Sequence, residues 1–408
     1  IILLVNILNI FIKNKYILVI NICYILSYFI EKNNINKEQV KIPLKVTSRV
    51  KRMIVTNIIL YLIPFIIYLF NKNIYIFNFV YSLIISLNFY IILLANIINK
   101  PIEKCVFIYY KNKAINKIKS YKNLNVVGIT GSYGKTSSKN ILNDILNVKY
   151  NSMCTPKNYN TQYGLILTIN NYLDKFNDVF IAEMGAFKRG RIKLLCNLVR
   201  PKYGIITSIG TAHLDTFGSR ENIQNGKFEL IESLPPDGLA ILNMDDEYQV
   251  SYKIKNNVKV LWVGIENENA DLYASNIKAS KDGMSFDIYF KKENIKHTFN
   301  TILLGNSNVY NILEAVAFSR YVMNMSFEEI KLGVKRIKPI THRLEIKNMG
   351  DRTIIDDAYN SNPIGSKMAL DVLKLMDGLK VVVTPGMIEL GDEQYNLNKK
   401  FGEYISEV

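Results

Sequence analysis

Histidine and cysteine are scarce in this 408-residue chain, with three and four copies. Three histidines exclude a His-rich metal site. The cysteines, Cys23, Cys105, Cys154 and Cys196, show no paired ligand spacing, and four unpatterned ones in a chain this long make no disulfide framework. They indicate a reducing compartment. Acidic residues are outnumbered, 35 against 51 basic, for a formal net charge of +16. Such a balance suits nucleic acid, anionic lipid or anionic small substrates. No DNA- or RNA-binding motif is present and the lysines are scattered among Asn and Ile, so no nucleic-acid partner is expected. A starting Met is absent as well: the chain opens on Ile1 and reads as a fragment.

Hydrophobic residues make up 49% of the chain, concentrated before residue 100. Four apolar stretches, 1–12, 16–30, 53–70 and 74–99, suggest about four transmembrane helices, the first cut short, since a span needs roughly 20 apolar residues. The loop 31–52 carries Lys32, Lys37, Lys41, Lys45, Arg49, Lys51 and Arg52, and the more basic loop faces the cytoplasm. The expectation is a multi-pass protein of the cell membrane with a lipid bilayer as partner. The domains read as 1–100 transmembrane, 101–123 basic linker, and catalytic domains in the cytoplasm beyond.

The stretch 124–129 reads as a buried strand. It runs into Thr130-Gly131-Ser132-Tyr133-Gly134-Lys135-Thr136 and then a helical pattern from Ser137. Strand, glycine-rich turn and helix start form a phosphate cradle, because N–H groups at a helix N-terminus point at an anion and the dipole adds attraction. Gly131 and Gly134 let the backbone curl around the anion, with Ser132 and Ser137 alongside. Lys135 reaches the β- and γ-phosphates of ATP, and the Thr136 hydroxyl ligates Mg²⁺. The strict pattern places a glycine at 129, where Ile129 stands; the glycines fall at 128, 131 and 134 instead.

That spacing resembles the Mur ligase family of ATP-dependent amide ligases, and further strings continue the likeness in order. Glu183-Met184-Gly185 ends a strand, where an acid beside a phosphate loop suits a Mg²⁺ ligand. Gly210-Thr211-Ala212-His213 and Asn225-Gly226-Lys227 follow. The resemblance implies His213 as a second metal ligand and a carbamylated Lys227, whose carbamate gives an anionic oxygen ligand. Lys135, Lys227 and His213 are thus the expected catalytic residues, with Thr136, Glu183, His213 and Lys227 holding metal. The loop 155–164 resembles the family's Asn-rich substrate loop, with Asn158, Asn160 and Thr161 as substrate-binding candidates.

Residues 271–303 alternate apolar and polar, as antiparallel strands do. Gly305-Asn306-Ser307-Asn308-Val309-Tyr310-Asn311 opens a helix and resembles the family's adenine-side motif, with Ser307 where His is usual; Asn308 and Asn311 remain. The string from Asp356 to Pro363 closely matches the branch that adds D-alanyl-D-alanine. There the resemblance implies Arg343 at the nucleotide phosphates, Asp356 at its ribose, and Tyr359, Asn360 and Asn362 beside the incoming amine.

The expected fold is therefore α/β: a P-loop-type central ATPase domain, 124–338, with a β-rich insertion, plus a Rossmann-like C-terminal domain, 339–408, reading as incomplete. The implied partners are a UDP-linked muramoyl peptide and D-Ala-D-Ala. The implied cofactors are ATP and Mg²⁺. Membrane helices standing in place of a UDP-binding domain leave a lipid-linked cell-wall acceptor open as an alternative. A membrane P-loop ATPase without ligase activity is a second alternative.

Overall fold

The computed structural model describes residues 45–358, 362–388 and 390–408. The chain divides into two compact units, Ile1–Tyr110 and Lys111–Val408. The described part of the first unit holds helices Ser48–Asn71 and Ile74–Ser86 and the start of Asn88–Ser120. The Arg52–Glu103 ion pair (2.7 Å) and Asn99 Nδ2, which donates to Thr56 Oγ1 (2.8 Å), hold the first helix against the third.

This arrangement corrects the membrane reading. Among the described residues only Ser48–Asn71 is long and apolar enough to cross a bilayer. The apolar run 74–99 is interrupted at Leu87, between helices Ile74–Ser86 and Asn88–Ser120. What remains is a helix of 13 residues, Ile74–Ser86, and a helix whose second half is rich in lysine. At 1.5 Å per residue the shorter helix reaches about 20 Å, against a hydrocarbon core of about 30 Å. The stretches 1–12 and 16–30 lie outside the described residues. One candidate helix does not make a set of four, so the multi-pass placement in a cell membrane is withdrawn, and the lipid bilayer as partner with it. The basic segment 101–123 is helical up to Ser120.

The second unit is built on a nine-stranded sheet in the order β2-β3-β1-β4-β5-β6-β7-β8-β9. The strands are β1 Asn125–Thr130, β2 Ser152–Cys154, β3 Val179–Glu183, β4 Tyr203–Ile206, β5 Leu239–Asn243, β6 Lys259–Gly264, β7 Leu272–Ser280, β8 Gly283–Phe290 and β9 Ile295–Thr301. Pairing is parallel from β2 through β7 and antiparallel from β7 to β9. The antiparallel part falls where alternation runs through 271–303. The parallel strands β1 and β3 are continuous apolar runs covered on both faces, whereas β8 alternates buried and half-exposed residues.

Helices Lys135–Leu146 and Asn306–Tyr321 share the core with this sheet, through Ile141, Ile145, Ile312 and Val316 against Val127, Ile181 and Ile205. Helix Phe327–Lys335 packs beside them, started by a capping box in which Ser326 and Glu329 satisfy each other's backbone N–H. The C-terminal stretch differs from the Rossmann-like expectation. It contributes an antiparallel hairpin, β10 Glu345–Met349 with β11 Arg352–Asp356, and helices Pro363–Lys374 and Gln394–Ser406. The apolar run 381–384 forms no strand, and Val381 and Val383 are exposed. A parallel strand needs a neighbour reached through a crossover, and the described residues offer none there.

Glu314 lies fully buried where helix Asn306–Tyr321 meets helix Lys135–Leu146. Its Oε2 accepts from Ser138 Oγ (2.8 Å) and its Oε1 has no hydrogen-bond partner. Burial raises its pKa from 4.5 to about 8. A carboxyl with a raised folded-state pKa stabilises the fold fully below its unfolded value, and that contribution is lost as pH rises through the folded one. Chemical denaturation across pH should therefore show stability falling between about pH 4.5 and about pH 8. Glu314→Gln should flatten that slope, gaining on the order of 2–4 kcal/mol over the parent at alkaline pH.

Candidate active site

The glycine-rich loop leaves β1 at Thr130 and enters helix Lys135–Leu146 through Gly134. Gly131 has φ +153° and a Cβ there would lie 2.1 Å from Thr207 Oγ1; Gly134 has φ +81° and its Cβ would press on Asn311 Oδ1 at 3.0 Å. Only glycine fits either place without strain. The segment after β4 fastens the loop. Ser132 N donates to Ser208 O (2.7 Å), Tyr133 N to Ser208 Oγ (3.2 Å), and Gly210 N to Ser132 Oγ (2.9 Å). No side chain caps the helix at Gly134, so its first-turn N–H groups face the loop as anion donors. Lys135 folds over the loop, donating to Gly131 O (2.7 Å) and Ser132 O (3.0 Å). Its pKa falls to about 8, chiefly through burial, with Arg343 adding to the drop and Glu183 opposing it.

Glu183, at the end of β3, is the hub of the site. Its Oε1 accepts from Thr136 Oγ1 (3.1 Å) and from Asn160 Nδ2 (3.2 Å); its Oε2 pairs with Lys139 Nζ (3.0 Å). A cavity of about 370 Å³ opens here. Its wall includes Ser132, Gly134, Lys135, Thr136, Asn158, Asn160, Thr161, Glu183, His213, Arg343 and Asn362. Thr161 also caps helix Gln162–Asn171, accepting from Gly164 N, and Asn362 caps helix Pro363–Lys374, accepting from Gly365 N. His213 stands at φ +61° ahead of the short helix Leu214–Phe217.

Lys227 is buried on helix Arg220–Glu232, with Nζ 3.5 Å from Ala186 O and 5.6 Å from the Phe217 ring centroid. Burial first, and Lys135 second, hold its pKa well below the ordinary lysine value, against Glu229. The donor set suits Mg²⁺: a carboxylate oxygen and a hydroxyl side by side are the hard ligands that cation takes. The depressed lysine suits carbamylation, which needs a neutral amine.

Not every expected residue reaches the cavity. Arg343 does, between two left-handed residues, His342 (φ +61°) and Leu344 (φ +48°), and its Nη2 donates to Thr136 Oγ1 (3.4 Å). Asp356 does not line it. That carboxylate is held in the hairpin by Lys347 Nζ (2.5 Å) and His342 Nδ1 (2.7 Å), which pull its pKa to about 2. Lys347 also pairs with Glu345 (3.1 Å), so an ammonium already fills the centre of the His342–Glu345–Asp356 cluster. Asn308 and Asn311 lie behind the loop, where Asn308 Nδ2 donates to Leu304 O and Asn311 touches Gly134. Ser137 and Lys227 stand off the cavity wall. Tyr359 and Asn360 lie outside the described residues. Sequence reading missed Lys139, Phe187 and Arg191; the last two line the cavity with the Arg191 guanidinium 5.0 Å over the Phe187 ring.

Fold and site together define a nucleotide-phosphate-binding domain. Residues 129–319 match the family profile described as Mur ligase middle domain. The chain is 33% identical over 284 residues to the UDP-N-acetylmuramoyl-tripeptide–D-alanyl-D-alanine ligase of Bacillus subtilis, covering 69% of this chain and 60% of that relative. It is 31% identical over 280 residues to the enzyme of that name from Escherichia coli, covering 68% and 61%. Among solved structures, MurF from Acinetobacter baumannii superposes with a TM-score of 0.69 at 27% identity, over 74% of this chain and 65% of that one. The MurF ligase of Thermotoga maritima in complex with ADP superposes at 0.67 and 25% identity, over 73% and 68%. The chain thus spans about three fifths of the length of these curated relatives.

If the loop cradles phosphate through its close approach to Thr207, Gly131→Ala should weaken ATP binding by about tenfold to a hundredfold, the equivalent of about 1–3 kcal/mol of backbone strain. Titration with a fluorescent ATP analogue measures it.

Proposed function

We propose that this chain is the catalytic part of an ATP-dependent, ADP-forming amide ligase of peptidoglycan precursor synthesis. On this reading it joins D-Ala-D-Ala to a UDP-N-acetylmuramoyl-tripeptide through an acyl phosphate. The observation that carries this reading is the Glu183 hub. One carboxylate joins Thr136 of the phosphate loop to Asn160 of the opposite loop, an arrangement that suits a nucleotide on one side of a metal ligand and an acceptor on the other. The likeness to D-Ala-D-Ala ligases over the same residues supports it.

Each residue then has a task. The first-turn N–H groups of helix Lys135–Leu146 bind the terminal phosphates, and the Lys135 ammonium leaves the carbonyls of Gly131 and Ser132 to follow the transferring phosphoryl group. Arg343, already at Thr136, adds positive charge from the C-terminal side. Asn158 and Asn160 orient the acceptor carboxylate for attack on the γ-phosphorus; Asn362, beside them in the cavity wall, borders the amine. Mg²⁺, held by Thr136 and Glu183 with His213 and the Lys227 carbamate contributing, would neutralise the charge that builds up on the phosphoryl oxygens. On this reading residues 124–338 serve ATP binding and 339–408 the amine side.

The experiment is product analysis by mass spectrometry with ATP, Mg²⁺, bicarbonate, UDP-N-acetylmuramoyl-tripeptide and D-Ala-D-Ala. The expected products are the pentapeptide nucleotide, ADP and phosphate. ADP without an amide would replace the proposal with a plain ATPase. Isotope-labelled bicarbonate should also give a carbamate NMR signal that disappears in Lys227→Met; an unchanged signal would remove Lys227 from the metal set.

A further inference from the structure

Lys139 lies three residues after Thr136 on helix Lys135–Leu146, so both face the same side. It is almost fully buried, an unusual place for a lysine. Its ammonium donates to Thr155 O (2.9 Å) and Lys157 O (2.7 Å) and lies 3.0 Å from Glu183 Oε2 as an ion pair. Lys157 itself is held at φ +48°, a left-handed conformation that a lysine adopts only when its surroundings impose it. Glu183 N in turn donates to Thr155 Oγ1 (3.1 Å). One ammonium therefore joins the helix that starts on the phosphate loop, the carboxylate at the end of β3, and the loop that carries Asn158 and Asn160.

We propose that Lys139 is a positioning residue that couples the loop 155–161 to the metal ligand Glu183. The ion pair holds Oε2 on the Lys139 side and so turns Oε1 toward Thr136 and Asn160. By holding two carbonyls it fixes the loop that presents Asn158 and Asn160 to the cavity. The ion pair also lowers the negative charge that a dication meets at Glu183, so the cation arrives with the nucleotide's phosphates rather than alone. Calling 155–161 the acceptor side rests on the function proposed above; the tether and the charge balance do not.

The test compares the full chain with Lys139→Met and Glu183→Gln, by Mn²⁺ binding without nucleotide at mildly alkaline pH and by amide hydrogen exchange. Lys139→Met should bind Mn²⁺ at least about tenfold more tightly, because a positive charge a few ångströms from the cation has gone. Amides of 155–161 should exchange at least about tenfold faster while β1 and β3 stay protected. Glu183→Gln should lose Mn²⁺ yet keep the loop protected, since the two carbonyl bonds survive. A merely structural lysine would weaken Mn²⁺ binding and loosen β1 together with the loop. Weaker or unchanged Mn²⁺ binding in Lys139→Met, or unchanged exchange in 155–161, overturns the proposal. If Lys139→Met does not fold, Lys139→Gln carries the same expectations, and loop deprotection in Glu183→Gln overturns the proposal by itself. Failure of the proposed ligase function would show instead as absence of amide product from the parent chain, with both readouts intact.

Discussion

The position of β1 between β3 and β4 governs the site. Ile129 pairs with Glu183 and Thr130 with Ile206 in parallel register, so three strands end at the same level and their loops leave side by side. From β1 comes the phosphate loop, from β3 the acid, and from β4 the segment 207–213 that fastens the phosphate loop and presents His213. This is the crevice where the strand order reverses, the usual ligand position in open parallel sheets. Shape and chemistry coincide because the two loops approach too closely for any residue but glycine at 131.

Charge is the second ordering principle. Lys135 and Arg343 act on the site around the carboxylate of Glu183, whose charge Lys139 already balances. Burial depresses both Lys227 and Lys135, with Lys135 adding to the first shift and Arg343 to the second. A half-buried ammonium and guanidinium beside the phosphate loop suit a polyanion, which bound phosphates would supply. Burial first, and repulsion from Lys135 second, hold Lys227 toward its neutral amine.

Local features were legible in the sequence and contacts across the chain were not. A glycine-rich turn between strand and helix fixes its own geometry, so Gly131, Gly134, Lys135 and Thr136 could be located from spacing. Glu183 could be placed at a strand end, and alternation exposed the antiparallel strands within 271–303. Lys139 carried no signal, since its partners Glu183, Thr155 and Lys157 meet it only in the folded sheet. Asp356 was drawn to a nucleotide by its string, whereas the hairpin pairs it with His342 and Lys347. The run 74–99 read as one apolar segment because composition does not register the break at Leu87. Thr161 and Asn362 could have been recognised as helix caps, Asn362 from the proline that follows it.

The central claim is that a carboxylate is activated by phosphoryl transfer in the crevice around Glu183. The most direct measurement supplies the UDP-N-acetylmuramoyl-tripeptide with an oxygen-labelled terminal carboxylate, then follows the label after turnover with ATP and D-Ala-D-Ala. An acyl phosphate intermediate predicts one labelled oxygen in the released inorganic phosphate for every amide formed. Amide formation with unlabelled phosphate would contradict the account.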